Sequence, residues 1–205
     1  MNSHKIFLAL IVATSLLFAG CLGQPQNAVN STQADVSPAS EAGLIGDITN
    51  LGLTANETGF EITDQSDLSP GENGTTLEAA GFDKGFSVGL AKYDDKNFER
   101  IVHQVTRYNT SAGAGQAFEE TRKVISESSE IVSELNLPKL GEKQFGVKGT
   151  RTVDLGVKGA TIDDYIIVFV KSNVLVAVDY FGLQESVSEQ KALQFTQMAA
   201  SKFNR

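Results

Sequence analysis

The chain changes its hydrophobic pattern several times, and each pattern predicts a different element. Residues 6–19 (IFLALIVATSLLFA) are apolar or small apart from Thr14 and Ser15. A core helix would carry a polar residue at every third or fourth position, so this run is not read as one. Residues 22–43 hold almost nothing to bury and have the composition of a linker. From about Gly59 short strand-like segments begin. GFEITDQ reads as a first strand, and the turn-forming DLSPGENG ends it. KGFSVGLAKY and FERIVHQVTRYN, separated by DDKN, predict an antiparallel hairpin.

The most periodic stretch follows. Ala114, Phe118, Thr121, Ile125, Ser128, Val132 and Leu135 recur at spacings of four and three, with charged residues mostly off that stripe. The spacing predicts one amphipathic helix over 111–135, capped by Thr110 or Ser111 and ended by Asn136 and Pro138. KQFGVKGTRTVDLGVKG and TIDDYIIVFVKSNVLVAVDYFGL return to strands, with KSN as a tight turn. Ile166, Val168 and Val170 would point one way and Tyr165, Ile167 and Phe169 the other, the pattern of a strand buried on both faces. A final helix is expected from Ser186, with Glu189 completing a capping box. Ala192, Phe195, Ala199 and Phe203 would form its apolar side. The expected fold is α+β: an antiparallel sheet of about five to seven strands packed with two amphipathic helices.

The front end changes the picture of where this domain works. His4 and Lys5 precede the apolar run, and Ala19 and Gly20 precede Cys21, the only cysteine. Basic, apolar and small segments in that order are the layout of an export signal. A cysteine placed directly after the small pair resembles the lipobox of prokaryotic lipoproteins, with Phe18 where leucine is usual. The resemblance implies cleavage after residue 20 and lipidation of Cys21. The alternative is an uncleaved membrane anchor, since residues 6–23 just reach spanning length. Either reading puts the rest of the chain outside the cytoplasm, without disulfides. The expected organisation is a signal over 1–20, a disordered acidic polar tether over 21–43, and one domain over 44–205. In that domain 44–82 is expected to be peripheral, acidic and loop-rich.

Charge narrows the partners. The formal net charge is −8, and residues 22–82 contain nine acids and no Lys or Arg. No basic cluster supports nucleic-acid binding, and nothing basic after Cys21 forms a membrane patch. Contact with the membrane is expected through the lipid on Cys21 alone. Asn30, Asn56, Asn73 and Asn109 each open an N-x-[ST] sequon and are the candidate glycosylation positions.

Candidate chemistry is sparse. Beyond the signal, His103 is the only histidine and lacks a sequence-near partner for a triad or a zinc site. The acid pairs Asp94/Asp95 and Asp163/Asp164 lack the alternating acids and central glycine of a calcium loop. SAGAGQA precedes a helix but has neither the lysine of a P-loop nor a full dinucleotide fingerprint. Tyr165, Phe169, Tyr180 and Phe181 are expected in the core or rim of the sheet. No catalytic residue, metal or cofactor is assigned.

RYNTSAGAGQAFEE, LPKLGEKQFGVKG, IIVFVKSNVLVAVDYFG and ALQFTQMAASKF together resemble a group of small prokaryotic surface lipoproteins of unassigned activity. Their layout is similar to the PsbP-like fold of the photosystem II extrinsic subunits, over roughly residues 60–205. The resembling positions are core and turn residues and imply no catalytic group. The leading expectation is a non-enzymatic binding module or peripheral subunit of an envelope complex. The alternative is a carrier of a small ligand or lipid, using a cleft between the sheet and the helix at 111–135. A hydrolase built on His103 ranks last.

Overall fold

The computed structural model describes residues 43–69, 79–94, 97–128, 130–154 and 159–204. Its compact unit is Leu44–Arg205. Seven antiparallel strands form one sheet: β1 (Glu61–Leu68), β2 (Phe82–Tyr93), β3 (Phe98–Tyr108), β4 (Ile131–Glu134), β5 (Lys143–Asp154), β6 (Gly159–Lys171) and β7 (Val174–Leu183). Their spatial order is β1-β2-β3-β7-β6-β5-β4. The helices are a single turn, α1 (Ala55–Thr58), then α2 (Ser111–Ser126) and α3 (Glu189–Ser201). This is the expected α+β class.

The centre of the sheet is apolar on both faces, so a separate core forms on each. Tyr165, Ile167 and Phe169 of β6 join Val174, Val176, Val178 and Tyr180 of β7 under Ala192, Phe195 and Ala199 of α3. Val168 and Val170 join Phe145, Val147 and Leu175 on the opposite face, under Ala114, Ala117, Phe118 and Ile125 of α2. The strand period of two thus delivers alternate residues of one strand to two different helices. Ser172, in the left-handed region at φ 55°, makes the tight turn from β6 to β7.

Three expectations are corrected. The helix over 111–135 ends at Ser126, and Ile131–Glu134 is an edge strand paired with β5. Serines and acids after Ile125 are poor at a helix C-terminus, whose partial charge is negative. The β-branched Ile131 and Val132 then suit a strand better. The last helix begins two residues later than expected, because Ser188, not Ser186, accepts from the Lys191 N–H. Val187, just before that cap, is buried in the α3-side core with Ala192 and fixes the entry of the chain, while Ser186 donates to Asn97 Oδ1.

The third correction concerns residues 44–60, which are not peripheral. Ile48, Leu51, Leu53 and Phe60 are buried in the α3-side core, with Phe60 edge-on to Phe195 at 5.4 Å. This strap is held by polar contacts at both ends. Asn173 accepts from the Ile45 N–H at 2.8 Å and donates to the Tyr108 carbonyl at 2.8 Å. Lys202, buried just beyond α3, donates to the Gly52 carbonyl at 2.6 Å and to Glu57 at 2.8 Å. Glu57 in turn closes the capping box of α1 with Thr54.

Removing one partner of a buried ion pair leaves the other without compensation. Lys202→Ala is therefore expected to cost about 2 kcal/mol, discounted because Glu57 is partly exposed. Thermal unfolding should show a midpoint lower by roughly 5 °C. An unchanged midpoint would mean that the lysine does not fasten the strap.

Candidate functional site

His103 lies in the middle of β3, fully buried among the α3-side apolar residues. Its Nδ1 accepts the Leu53 N–H at 3.0 Å, so the proton of the neutral ring sits on Nε2, which has no partner in the structure. Burial, with Lys202 adding to it, lowers its pKa to about 3. The ring binds the strap to the sheet and faces no cleft, so the sequence-level candidate for a catalytic base is a core residue.

The acid pair Asp163/Asp164 is divided by the sheet. Asp163 faces α3, bonded to Thr150 at 2.8 Å and to Lys148 at 2.7 Å. Asp164 faces the α2 side, where its carboxyl shares a hydrogen bond with Asp179 of β7. The two are diagonal neighbours, since Asp164 opposes Phe181 and Asp179 opposes Ile166. Desolvation raises the pKa of both, and that of Asp179 strongly, because the neighbouring carboxyl adds to the penalty. Arg151 of β5 and Arg100 of β3 act in the opposite direction.

Those residues belong to a charged row that crosses the sheet beside the α2 core. Arg100 bonds Asp64 of β1 at 2.8 Å, and Gly89 of β2 leaves room for that carboxylate. Arg151 lies 5.9 Å over the Phe181 ring and 3.9 Å from Glu130. Arg100 Nε, Arg151 Nε, Asp164 Oδ1 and Asp179 Oδ1 are buried without partners in the structure. Asp179, Arg100 and Arg151, scattered through the sequence, were not singled out by sequence reasoning. Asp179, the single charge in the apolar run of β7, was the available signal. A shared proton between two buried acids can stabilise the fold or answer to pH, but the row holds no nucleophile.

The remaining sequence candidates are dispersed. Asp94 accepts from the Asn97 backbone and side chain at the β2–β3 turn, and Asp95 lies outside the described residues. Asn56 and Asn109 are exposed, while Cys21, Asn30 and Asn73 lie outside the described residues. Tyr165, Phe169, Tyr180 and Phe181 are all buried, so they are core rather than a groove. The interface between α2 and the sheet is packed with Phe118, Ile125 and their partners, at the place where a carrier cleft was expected. Glycines at the start of α2 serve packing, since a Cβ on Gly113 would run into the Ala80 carbonyl. Among the described residues no group of three or more His, Cys, Asp or Glu could hold a metal, and no helix is long and apolar enough to cross a membrane.

Two accessible features remain. The first is β1, an edge strand whose residues 61–67 are all exposed and which carries Glu61, Asp64 and Asp67. The second is a groove of about 530 Å³ between the loop before β5, the β6–β7 turn and the end of α3.

No protein-family model and no curated protein matches the chain. Among solved structures it is similar to the extracellular domain of PknH from Mycobacterium tuberculosis. The TM-score is 0.57 at 13% identity, over 75% of this chain and 93% of that one. A likeness at that identity shows a shared fold.

The buried acids make a pH prediction with a definite sign. The native state keeps a proton on the Asp164–Asp179 pair that the unfolded chain has released above the ordinary carboxylate range. The pair's contribution is therefore complete below pH 3.8 and is lost as pH rises through its raised native value. His103 works oppositely: its contribution is complete above pH 6.5 and is lost as pH falls toward about 3. Asp179→Asn should leave urea midpoints unchanged near pH 4 and raise them increasingly up to pH 8. Equal midpoints for variant and parent at every pH would show that the pair does not hold a proton.

Proposed function

We propose that this chain is a non-enzymatic binding module, held outside the cytoplasm by lipid on Cys21, that docks an envelope protein through the free edge of β1. The observation that carries the reading is that edge itself. Eight residues long, it is paired by no strand on its outer side among the described residues, the template for an added strand. The opposite edge, β4, is only four residues long. Glu61 and Asp67 have no cationic partner among the described residues, and the chain around β1 is acidic without a base from 22 to 82. A second copy pairing through this edge would set like charge against like. A basic, extended segment of a partner is the complementary occupant.

The lipobox-like cysteine and export-signal layout support the anchored location, as does likeness in fold to a domain titled extracellular. The sheet packed between α2 and α3 supports the PsbP-like reading of the architecture. Against a hydrolase stands the enclosed position of His103.

Mass spectrometry of the protein from its native host should find Cys21 as the first residue, carrying acyl chains; a retained 1–20 segment or an unmodified Cys21 would contradict lipid anchoring. For docking, the probe is an eight-residue peptide alternating Lys and Val, titrated into the protein at low and high salt. Binding should weaken with salt, slow amide exchange along β1, and fall at least about tenfold in the double variant Glu61→Lys, Asp67→Lys. Equal binding of an alternating Glu and Val peptide would overturn the reading, as would indifference to the double variant.

A further inference from the structure

We propose that the groove at the end of α3 binds a small, singly charged anionic sugar, the carboxylate on two lysines and the hydroxyls on a polar stripe of the helix. The volume of about 530 Å³ suits a ligand of one or two sugar rings. Lys139 enters from the loop before β5 and Lys171 from the β6–β7 turn. Neither lysine makes an ion pair among the described residues, a state that Lys92 and Lys123 share there. The one acid on the groove wall, Glu142, is already engaged by the Ser172 N–H at 3.1 Å. Gln197, Ser201 and Asn204 follow at spacings of four and three, so they stand on one face of α3 and its last turn, and all three line the groove. Ser201 donates its hydroxyl proton to the Met198 carbonyl, which leaves its oxygen to accept from a ligand hydroxyl.

The walls are fixed before any ligand arrives. Gln144 accepts from the Leu140 N–H and donates to the Pro138 carbonyl, both at 2.8 Å, and so clamps the loop that carries Lys139. The Glu142 N–H bonds the Val170 carbonyl at 2.9 Å, and Gly141 permits that approach because a Cβ would strike the same carbonyl. On the other wall the 3-10 turn after α3 is seated by Phe203 against Phe169, with ring centroids 6.1 Å apart. Asn173, buried behind Lys171, fixes the β6–β7 turn. A preformed site avoids the ordering cost that weakens binding by mobile loops. Two ammonium groups with no ion-pair partner among the described residues select an anion, and the amides and hydroxyl select a polyol over a bare ion.

The test is calorimetric titration of the soluble domain-bearing chain, lacking only the signal, with glucuronate, methyl glucuronoside, glucose and inorganic phosphate. Glucuronate should bind at one site per chain, more weakly at high salt, and glucose should bind far less. Lys139→Gln and Lys171→Gln should each weaken binding about fivefold while leaving the unfolding midpoint unchanged. Equal binding of the methyl glucuronoside would identify the end of a glycan chain as the ligand; loss of binding with it would identify the free sugar. No saturable binding of glucuronate overturns the proposal. So does full displacement by inorganic phosphate, or binding that survives both lysine changes together.

Discussion

Burial of β6 and β7 on both faces is the constraint from which the rest of the fold follows. A strand with Tyr165, Ile167 and Phe169 on one side and Val168 and Val170 on the other is stable only between two covering layers. Each such side chain contributes about 1.5–3 kcal/mol when withdrawn from water. On one face the sixteen residues of α2 supply the cover. On the other, α3 has only thirteen residues, and the strap over 44–60 completes the layer with Ile48, Leu51, Leu53 and Phe60. His103, Lys202 and Asn173 are polar because the strap brings backbone groups into that layer, and each of the three bonds one of them. The interior polar chemistry of this face fastens the strap to the sheet.

The charged row has the same origin. α2 buries its apolar face over Phe145, Val147, Val168, Val170 and Leu175, and beside that core the strands carry Arg100, Asp164, Asp179 and Arg151. Buried charges are tolerated when opposite signs alternate or a proton is retained, and the row shows both. It runs from Asp64 near one edge to Glu130 near the other, tying five strands electrostatically without adding to the apolar core. His103 and the acid pair therefore respond to pH in opposite directions.

Much of this was legible in the sequence where one period ruled. The β2–β3 hairpin, the two-faced β6 and the terminal apolar stripe of α3 each announce themselves through spacing alone. Residues 127–135 were harder, because Ser128, Val132 and Leu135 continue the helical spacing of 111–126 while the chain turns to pair with β5. The strap was hidden by composition: four buried apolar residues lie among acids, glycines and threonines, and only the sheet shows what they cover. Asp179 was invisible as a partner of Asp164, since strand pairing and not sequence distance joins them. The groove draws on three separate segments, none of which carries a motif.

With both faces of β6 and β7 covered, the proposed recognition falls to the periphery: the acidic edge of β1 and the lysine-walled groove. Hydrogen exchange followed by mass spectrometry, on full-length protein in its native membrane and again after purification in detergent, tests that division directly. The account predicts added protection in the native membrane along β1 or around Lys139 and Lys171, with exchange near His103 and Asp179 unchanged. Protection that centres instead on His103 or Asp179, with β1 and the groove unaffected, would contradict it.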